Sequence, residues 1–195
     1  MSNENNDSVK IINKCIKRLK ARNQVIKFVP IDFTSARIIC FADAAFANLH
    51  NGASQGGFIV FLECKNKCIP LFWQSKKLRR VVKSTLSAET MALMGGSEHC
   101  FLLKSIIKEI LNVDLLITVL TDSESLTDSL ATSKTLEDKR LKVDICVVRD
   151  YLKKGEIHQV CWVPTDKQLA DSLTKAGANP AKLLEVLQSA RLQLD

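Results

Sequence analysis

Residues 37–73 read RIICFADAAFANLHNGASQGGFIVFLECKNKCIPLFW. Three apolar runs lie inside this stretch. Residues 37–42 form a compact run that ends at Asp43. Residues 56–62 follow a polar turn at 48–55, and residues 69–73 follow the connection 63–68. Strands joined by such short turns predict an antiparallel meander. Downstream the period changes. Residues 86–111 carry a helical pattern, and 115–120 are almost purely apolar, as expected of a strand buried on both faces. Helices are expected over 124–131 and over 141–154, the second stopped by Gly155. Residues 156–163 alternate as a strand, with Ile157, Val160 and Trp162 apolar. Residues 168–175 and 180–192 read as helical, the latter with Pro180 near its first turn. Three strands, a helix, a strand, helices, a strand and a helix make an α/β domain, a mixed sheet with helices packed on it.

Outward from that core, residues 1–7 form a polar tail. Residues 8–22 carry an apolar stripe (Val9, Ile12, Cys15, Ile16, Leu19) among Lys10, Lys14, Lys17 and Lys20. Such a stripe needs a partner, by default the domain itself. Residues 28–34, with Pro30, look like an extended connector. The chain therefore divides into an N-terminal appendage, 1–36, and a domain, 37–195. Its 46% hydrophobic share, 7 Gly and 4 Pro exclude collagen-like and disordered classes. The net charge of +7 points to a polyanionic partner. No apolar run is long enough to cross a bilayer, so no membrane partner is expected. The opening MSNENND has neither a basic nor an apolar leader region, so no secretory signal is expected. Seven scattered Cys fit reduced thiols better than a disulfide framework, hence an intracellular, cytoplasmic chain. Cys64, Cys68, His99 and Cys100 match no standard zinc spacing.

Four acids stand where the elements could make them meet. Asp43 and Asp122 each follow an apolar strand, Glu89 lies on the long helix, and Asp171 on a late one. Taken singly, Asp43 fits a turn residue, Asp122 an N-cap and Asp171 a solvated helix position. Glu89 heads the stripe Leu93, Gly96, Cys100, Leu103, Ile107, which must face the sheet. A carboxylate there is costly unless paired or metal-bound, or unless the helix start is still wet. A carboxylate cluster with no matching Lys or Arg would repel itself, and hard divalent cations relieve that repulsion. Mg²⁺ prefers such oxygen ligands. Two ions clamped this way are a standard arrangement for phosphodiester hydrolysis.

Several segments carry a family resemblance. Phe41-Ala42-Asp43-Ala44-Ala45-Phe46-Ala47, Trp73-Gln74-Ser75-Lys76-Lys77, Ser84-Thr85-Leu86-Ser87-Ala88-Glu89 and Leu120-Thr121-Asp122-Ser123 resemble the ribonuclease H domain of the Pol polyprotein of copia-like LTR retrotransposons. So do Lys139-Arg140-Leu141-Lys142-Val143-Asp144 and Gln168-Leu169-Ala170-Asp171-Ser172-Leu173-Thr174-Lys175. Any one piece is weak, whereas six in the same order are specific. The resemblance implies a ribonuclease H-like fold: a mixed five-stranded sheet, three antiparallel strands then parallel ones, flanked by helices. It also implies hydrolysis of the RNA strand of RNA–DNA hybrids with two Mg²⁺ ions, for which Mn²⁺ substitutes. Asp43 would bridge both metals, Glu89 and Asp122 would complete the inner shell, and Asp171 would hold the ion that activates water. A reverse transcriptase domain would lie upstream, with residues 8–33 resembling its tail. The product would work in the cytoplasm, inside a virus-like particle where the element is active, or in the nucleus. The chain departs from the pattern at three places. Residues 162–170 contain no His, His158 lying earlier, so Lys167 is one candidate substitute. Thr90 and Ala45 replace an aromatic and a polar or acidic residue. No Tyr-x-Asp-Asp motif is present, which excludes polymerase activity.

Between the third strand and the long helix lie five cations, Lys76, Lys77, Arg79, Arg80 and Lys83. Beside the acids, and with Ser75, Ser84 and Thr85, they form a candidate phosphate-binding surface. A metal-dependent endonuclease is the leading reading. The alternative keeps the fold and the basic face without turnover, as a retroelement-derived nucleic-acid-binding or scaffold module.

Overall fold

The computed structural model describes residues 2–21, 25–132 and 137–194. The strands are β1 (Arg37–Ala45), β2 (Gln55–Cys64), β3 (Lys67–Lys77), β4 (Leu116–Thr121) and β5 (Gln159–Trp162). They form one sheet in the order β3-β2-β1-β4-β5. β1, β2 and β3 are antiparallel, and β4 and β5 add in parallel. This is the expected five-stranded mixed sheet. Lys65 and Asn66 join β2 to β3 with φ of 51° and 65°. Positive φ at both turn residues matches the twist of a two-residue hairpin.

The helices are α1 (Ser2–Ala21), α2 (Thr85–Leu111), α3 (Glu124–Ala131), α4 (Lys139–Lys154), α5 (Asp171–Thr174) and α6 (Ala181–Ser189). β1 alternates between two cores. Ile38, Cys40 and Ala42 join Phe58, Val60 and Leu62 in the core that includes Leu93 of α2 and Ile145 of α4. Ile39, Phe41, Ile59 and Phe61 join Leu169, Leu183 and Leu192 on the other face. Burial on both faces is why residues 37–42 read as an unbroken apolar run. Ser84 caps α2 by accepting from Ser87 N at 3.1 Å. Asp138 caps α4 by accepting from Arg140 N at 2.8 Å and from Leu141 N at 3.1 Å.

α2 rests directly on the sheet at Gly96, where a Cβ would lie 2.7 Å from Cys40 Sγ and 3.4 Å from Phe58 Cβ. Gly96→Ala gains about 1 kcal/mol of helix propensity. It also overpacks this contact, which typically costs about 1–3 kcal/mol. A lower melting temperature is therefore expected in a thermal scan, and an increase would show that Cys40 gives way freely.

Four expectations need correction. The polar N-terminus is helical from Ser2, and Arg22, the expected helix end, lies outside the described residues. The α1 stripe is not covered by the domain: Val9, Ile12, Ile16 and Leu19 are all exposed. The connector makes the contact instead, with Ile31 and Phe33 packed on the core and Lys27 N donating to Leu187 O at 2.8 Å. β3 runs on to Lys77, so Lys76 and Lys77 are strand residues, and His158 falls just before β5. Finally, the helix expected at 168–175 shrinks to α5. Gln168 is spent on tertiary structure, donating to Ala42 O at 3.0 Å and accepting from Ala170 N at 3.1 Å.

Candidate functional site

β1 and β4 are parallel neighbours, so both deliver their last residues to the same edge of the sheet. Asp43 stands near the end of β1 and Asp122 follows directly on β4. Glu89, five residues past the Ser84 cap, reaches the same edge from α2. One oxygen from each of Asp43, Glu89 and Asp122 lies within 4.8 Å of the other two. Asp43 is 1% exposed and Glu89 5%, so the wet-helix-start reading of Glu89 does not hold. Asp122 is half-buried, and Ser123 rather than Asp122 occupies the N-cap of α3, so its carboxylate is not used there. The Trp162 indole donates to the Asp122 backbone carbonyl at 3.1 Å and ties β5 to this corner. The acids line an open cleft of about 480 Å³ with Phe46, Thr85, Ser123 and Lys175.

The cleft is not free of cations. The Lys175 ammonium pairs with Asp171 and lies 3.7 Å from Asp43 Oδ1. The Thr174 hydroxyl donates to Asp43 Oδ2. Gly57 opposite Asp43 makes this approach possible: a Cβ there would meet Thr174 Cγ2 at 2.8 Å and Leu173 Cβ at 3.0 Å. The expectation of a cluster without a basic partner is thus corrected. Asp171 does not join the convergent trio; its carboxylate is held by Lys175 within α5 and the residue after it.

The electrostatics are those of crowded, dehydrated acids. Burial, then the charges of Asp43 and Asp122, push the Glu89 carboxyl up to about 9. Burial also raises Asp43, against the lowering influence of Thr174 and Lys175. Burial opposes the Lys175 charge, but its hydrogen bond to Asp171 and the charges of Asp43, Asp171 and Asp122 outweigh it, and its pKa is raised. Glu89 Oε2 and Asp43 Oδ1 are buried without a hydrogen-bond donor. Orphaned carboxylate oxygens of this kind are rare and call for a missing partner. Two of them facing a third acid suit a hard cation such as Mg²⁺, so the donor set fits a divalent metal.

The expected phosphate-binding residues are not equivalent. Lys76, Lys77, Arg79 and Lys83 are exposed. Arg80 is turned inward and paired with the buried Asp144 carboxylate of α4. Ser75 accepts from Gln55 Nε2 at 2.7 Å and donates to Leu173 O, which ties β2, β3 and the α5 turn together. Ser84 is the α2 cap, and Thr85 lines the acid cleft. Lys167 faces a different cleft, with Phe41, Lys182 and Arg191. Thr174, Lys175 and Gly57 escaped spacing arguments. The first two stand inside the Gln168–Lys175 motif, but nothing local says that they reach Asp43.

No family model matches the chain, and no curated relative matches it. Solved structures do. The chain is similar to RNase H1 from the halophilic archaeon Halobacterium salinarum: 18% identity, TM-score 0.51, covering 71% of this chain and 94% of that one. It is also similar to LC11-RNase H1 in complex with RNA/DNA hybrid: 19% identity, TM-score 0.53, covering 71% and 94%. At such identities the likeness is one of fold, and together with the strand order β3-β2-β1-β4-β5 it gives the chain a ribonuclease H-like fold.

Proposed function

We propose that the chain is a divalent-metal-dependent endonuclease that hydrolyses the RNA strand of RNA–DNA hybrids. The observation that carries this reading is the convergence of Asp43, Glu89 and Asp122, two of them with orphaned buried oxygens, at the edge where two parallel strands end. A neighbour of the same fold is complexed with an RNA/DNA hybrid, which supports the substrate class. Asp43, Glu89 and Asp122 would hold the metal, with Asp171 able to join once Lys175 releases it. Two Mg²⁺ ions bound there supply a water of lowered pKa and charge stabilisation for the leaving 3′ oxygen. The residues around them keep the carboxylates in place: Thr174 orients Asp43, and Trp162 anchors the backbone at Asp122. Lys76, Lys77, Arg79 and Lys83 would take phosphates, and RNA would be selected through its 2′-hydroxyls rather than its bases. The copia-like Pol origin, an upstream reverse transcriptase and a cytoplasmic or particle-bound location belong to the same proposal, resting on the six ordered motifs.

The test is cleavage of a labelled hybrid in Mg²⁺, with single-stranded RNA, duplex RNA and a chelator as controls. Cutting confined to the hybrid's RNA strand and abolished by the chelator is expected. Binding of the hybrid without any cutting would instead favour a silent nucleic-acid-binding module.

The basic surface makes a second test available. Arg79→Ala is expected to weaken hybrid binding and to reduce the salt slope of log K by about 1. Arg80→Ala is expected to lower the melting temperature, because it strands the Asp144 carboxylate. Removing one partner of a buried pair costs about 3–5 kcal/mol, and the partial exposure of Arg80 places this case below that range. Equal effects of the two variants on salt-dependent binding would refute the division between them.

A further inference from the structure

Resting on the metal-site reading above, we propose that Lys175 is a tethered counter-ion that holds the acid centre together before metal binding and gives up Asp43 when a divalent cation enters. The three converging carboxylates repel one another, and two of them are removed from water. Without a positive charge nearby, nothing offsets that crowding of acids. Lys175 supplies that charge from outside the trio, pairing with Asp171 and lying 3.7 Å from Asp43 Oδ1, one of the two orphaned oxygens. It contacts that oxygen by charge alone, without a hydrogen bond, so giving up Asp43 costs no directional bond; its hydrogen bond is the one to Asp171. The rest of the geometry also suits a cation that leaves. Lys175 follows the four-residue α5, its backbone N–H donating to Asp171 O at 3.1 Å, so the backbone stays anchored while the side chain moves. Its side chain is 43% exposed, so the ammonium can withdraw into water along a flexible four-carbon stem. Asp43, 1% exposed and held by Thr174, cannot follow it.

An arriving divalent ion and the ammonium therefore compete for Asp43 Oδ1, and the outcome sets the metal affinity of the centre. A merely structural lysine would do the opposite: removing it would loosen α5, disorder Asp43 and weaken metal binding. Lys175 is accordingly a positioning residue that acts through Asp43 and Asp171.

The experiment is Mn²⁺ binding to the full chain, followed by titration calorimetry and by thermal melts with and without the ion. Lys175→Met is expected to lower the metal-free melting temperature, to tighten the Mn²⁺ dissociation constant by about tenfold through loss of the opposing charge, and to enlarge the metal-induced rise in melting temperature. Lys175→Arg, which keeps the charge, is expected not to tighten it. A measurement on the unaltered chain covers the case in which Lys175→Met does not fold. Acetylation of Lys175, read by peptide mass spectrometry, is expected to rise on Mn²⁺ loading, while that of Lys14 on exposed α1 stays constant. Mn²⁺ binding that is unchanged or weakened in Lys175→Met, or Lys175 acetylation indifferent to the ion, overturns the counter-ion role and leaves the metal site standing. No Mn²⁺ binding by the unaltered chain at millimolar concentrations overturns the metal site and the counter-ion role together.

Discussion

Cleavage of the hybrid by Glu89→Gln or Asp122→Asn is expected to fall by about 10³-fold, since a metal clamp supplies several kcal/mol and each 1.36 kcal/mol is a factor of ten. The informative part is the opposite sign of the stability effect at Glu89. Its carboxylate is buried, one oxygen has no donor, and two further acids face it. A buried polar group left unsatisfied costs about 1–3 kcal/mol. Glu89→Gln removes the ionisable group, and with it the cost of keeping it protonated in the fold, while nearly keeping the shape, so the metal-free variant is expected to melt higher, by about 2–4 °C for each kcal/mol recovered in a chain of this size. The pH dependence follows from the direction of the shift. The Glu89 carboxyl rises from an ordinary 4.5 to about 9, so the folded chain holds this proton more tightly than the unfolded one. The contribution of Glu89 to metal-free stability is then greatest below its unfolded pKa and declines as pH climbs through the interval up to about 9. Thermal scans in chelator at about pH 5 and about pH 8 should show that decline in the wild type and a shallower one in Glu89→Gln. A Glu89→Gln chain less stable than the wild type at both values would mean that the backbone hydrogen bond from Ala44 to the Glu89 carboxyl outweighs the cost of burying it.

Gly57→Val is expected to cut activity by about 100-fold without unfolding the chain, because displacements near 1 Å in a catalytic constellation carry penalties of that order. Gly57 lies directly across from Asp43, and even one added carbon would press on Thr174 and Leu173. Valine adds two more. Relief requires the α5 turn to lift from the sheet, taking the Thr174 hydroxyl and the Lys175 ammonium away from Asp43. The overpacking itself should lower stability by about 1–3 kcal/mol. The reading to compare is Mn²⁺ affinity: it should change in Gly57→Val but stay put in Gly96→Ala, which presses on Cys40 and Phe58 and not on the α5 turn. Equal metal affinity in the two variants would show that the α5 approach does not matter to the centre.

What the residues revealed in advance was whatever depends on local periodicity. The apolar run 37–42 and the helix 124–131 were legible because burial pattern and helical period are written into neighbouring positions. The positions of Asp43 and Asp122 at strand ends followed from the same signals, and so did Glu89 at the head of an apolar stripe. Interactions across long sequence separations were not legible. Arg80 reads as a surface cation until α4 brings Asp144 beneath it, 64 residues away in sequence. Thr174 reaches Asp43 across 131 residues, and no spacing rule predicts that contact. The residues 168–175 carry a helical pattern, yet Gln168 is more useful bridging to Ala42 than continuing a helix, and the pattern loses to that contact. The α1 stripe failed for another reason: amphipathicity states that a face wants covering, not what covers it.

The span between Asp43 and Thr174 also has a consequence for synthesis. Chains emerge N-terminus first, and contacts between remote segments are the slowest to form. Asp43 is made before Glu89, Glu89 before Asp122, and the turn that carries Thr174 and Lys175 follows all three. A nascent chain can therefore complete β1, β2 and β3 while its acid centre is still missing parts. A nuclease built this way would be born inactive on the ribosome, beside a messenger RNA, and would mature only after the turn carrying Thr174 and Lys175 had docked.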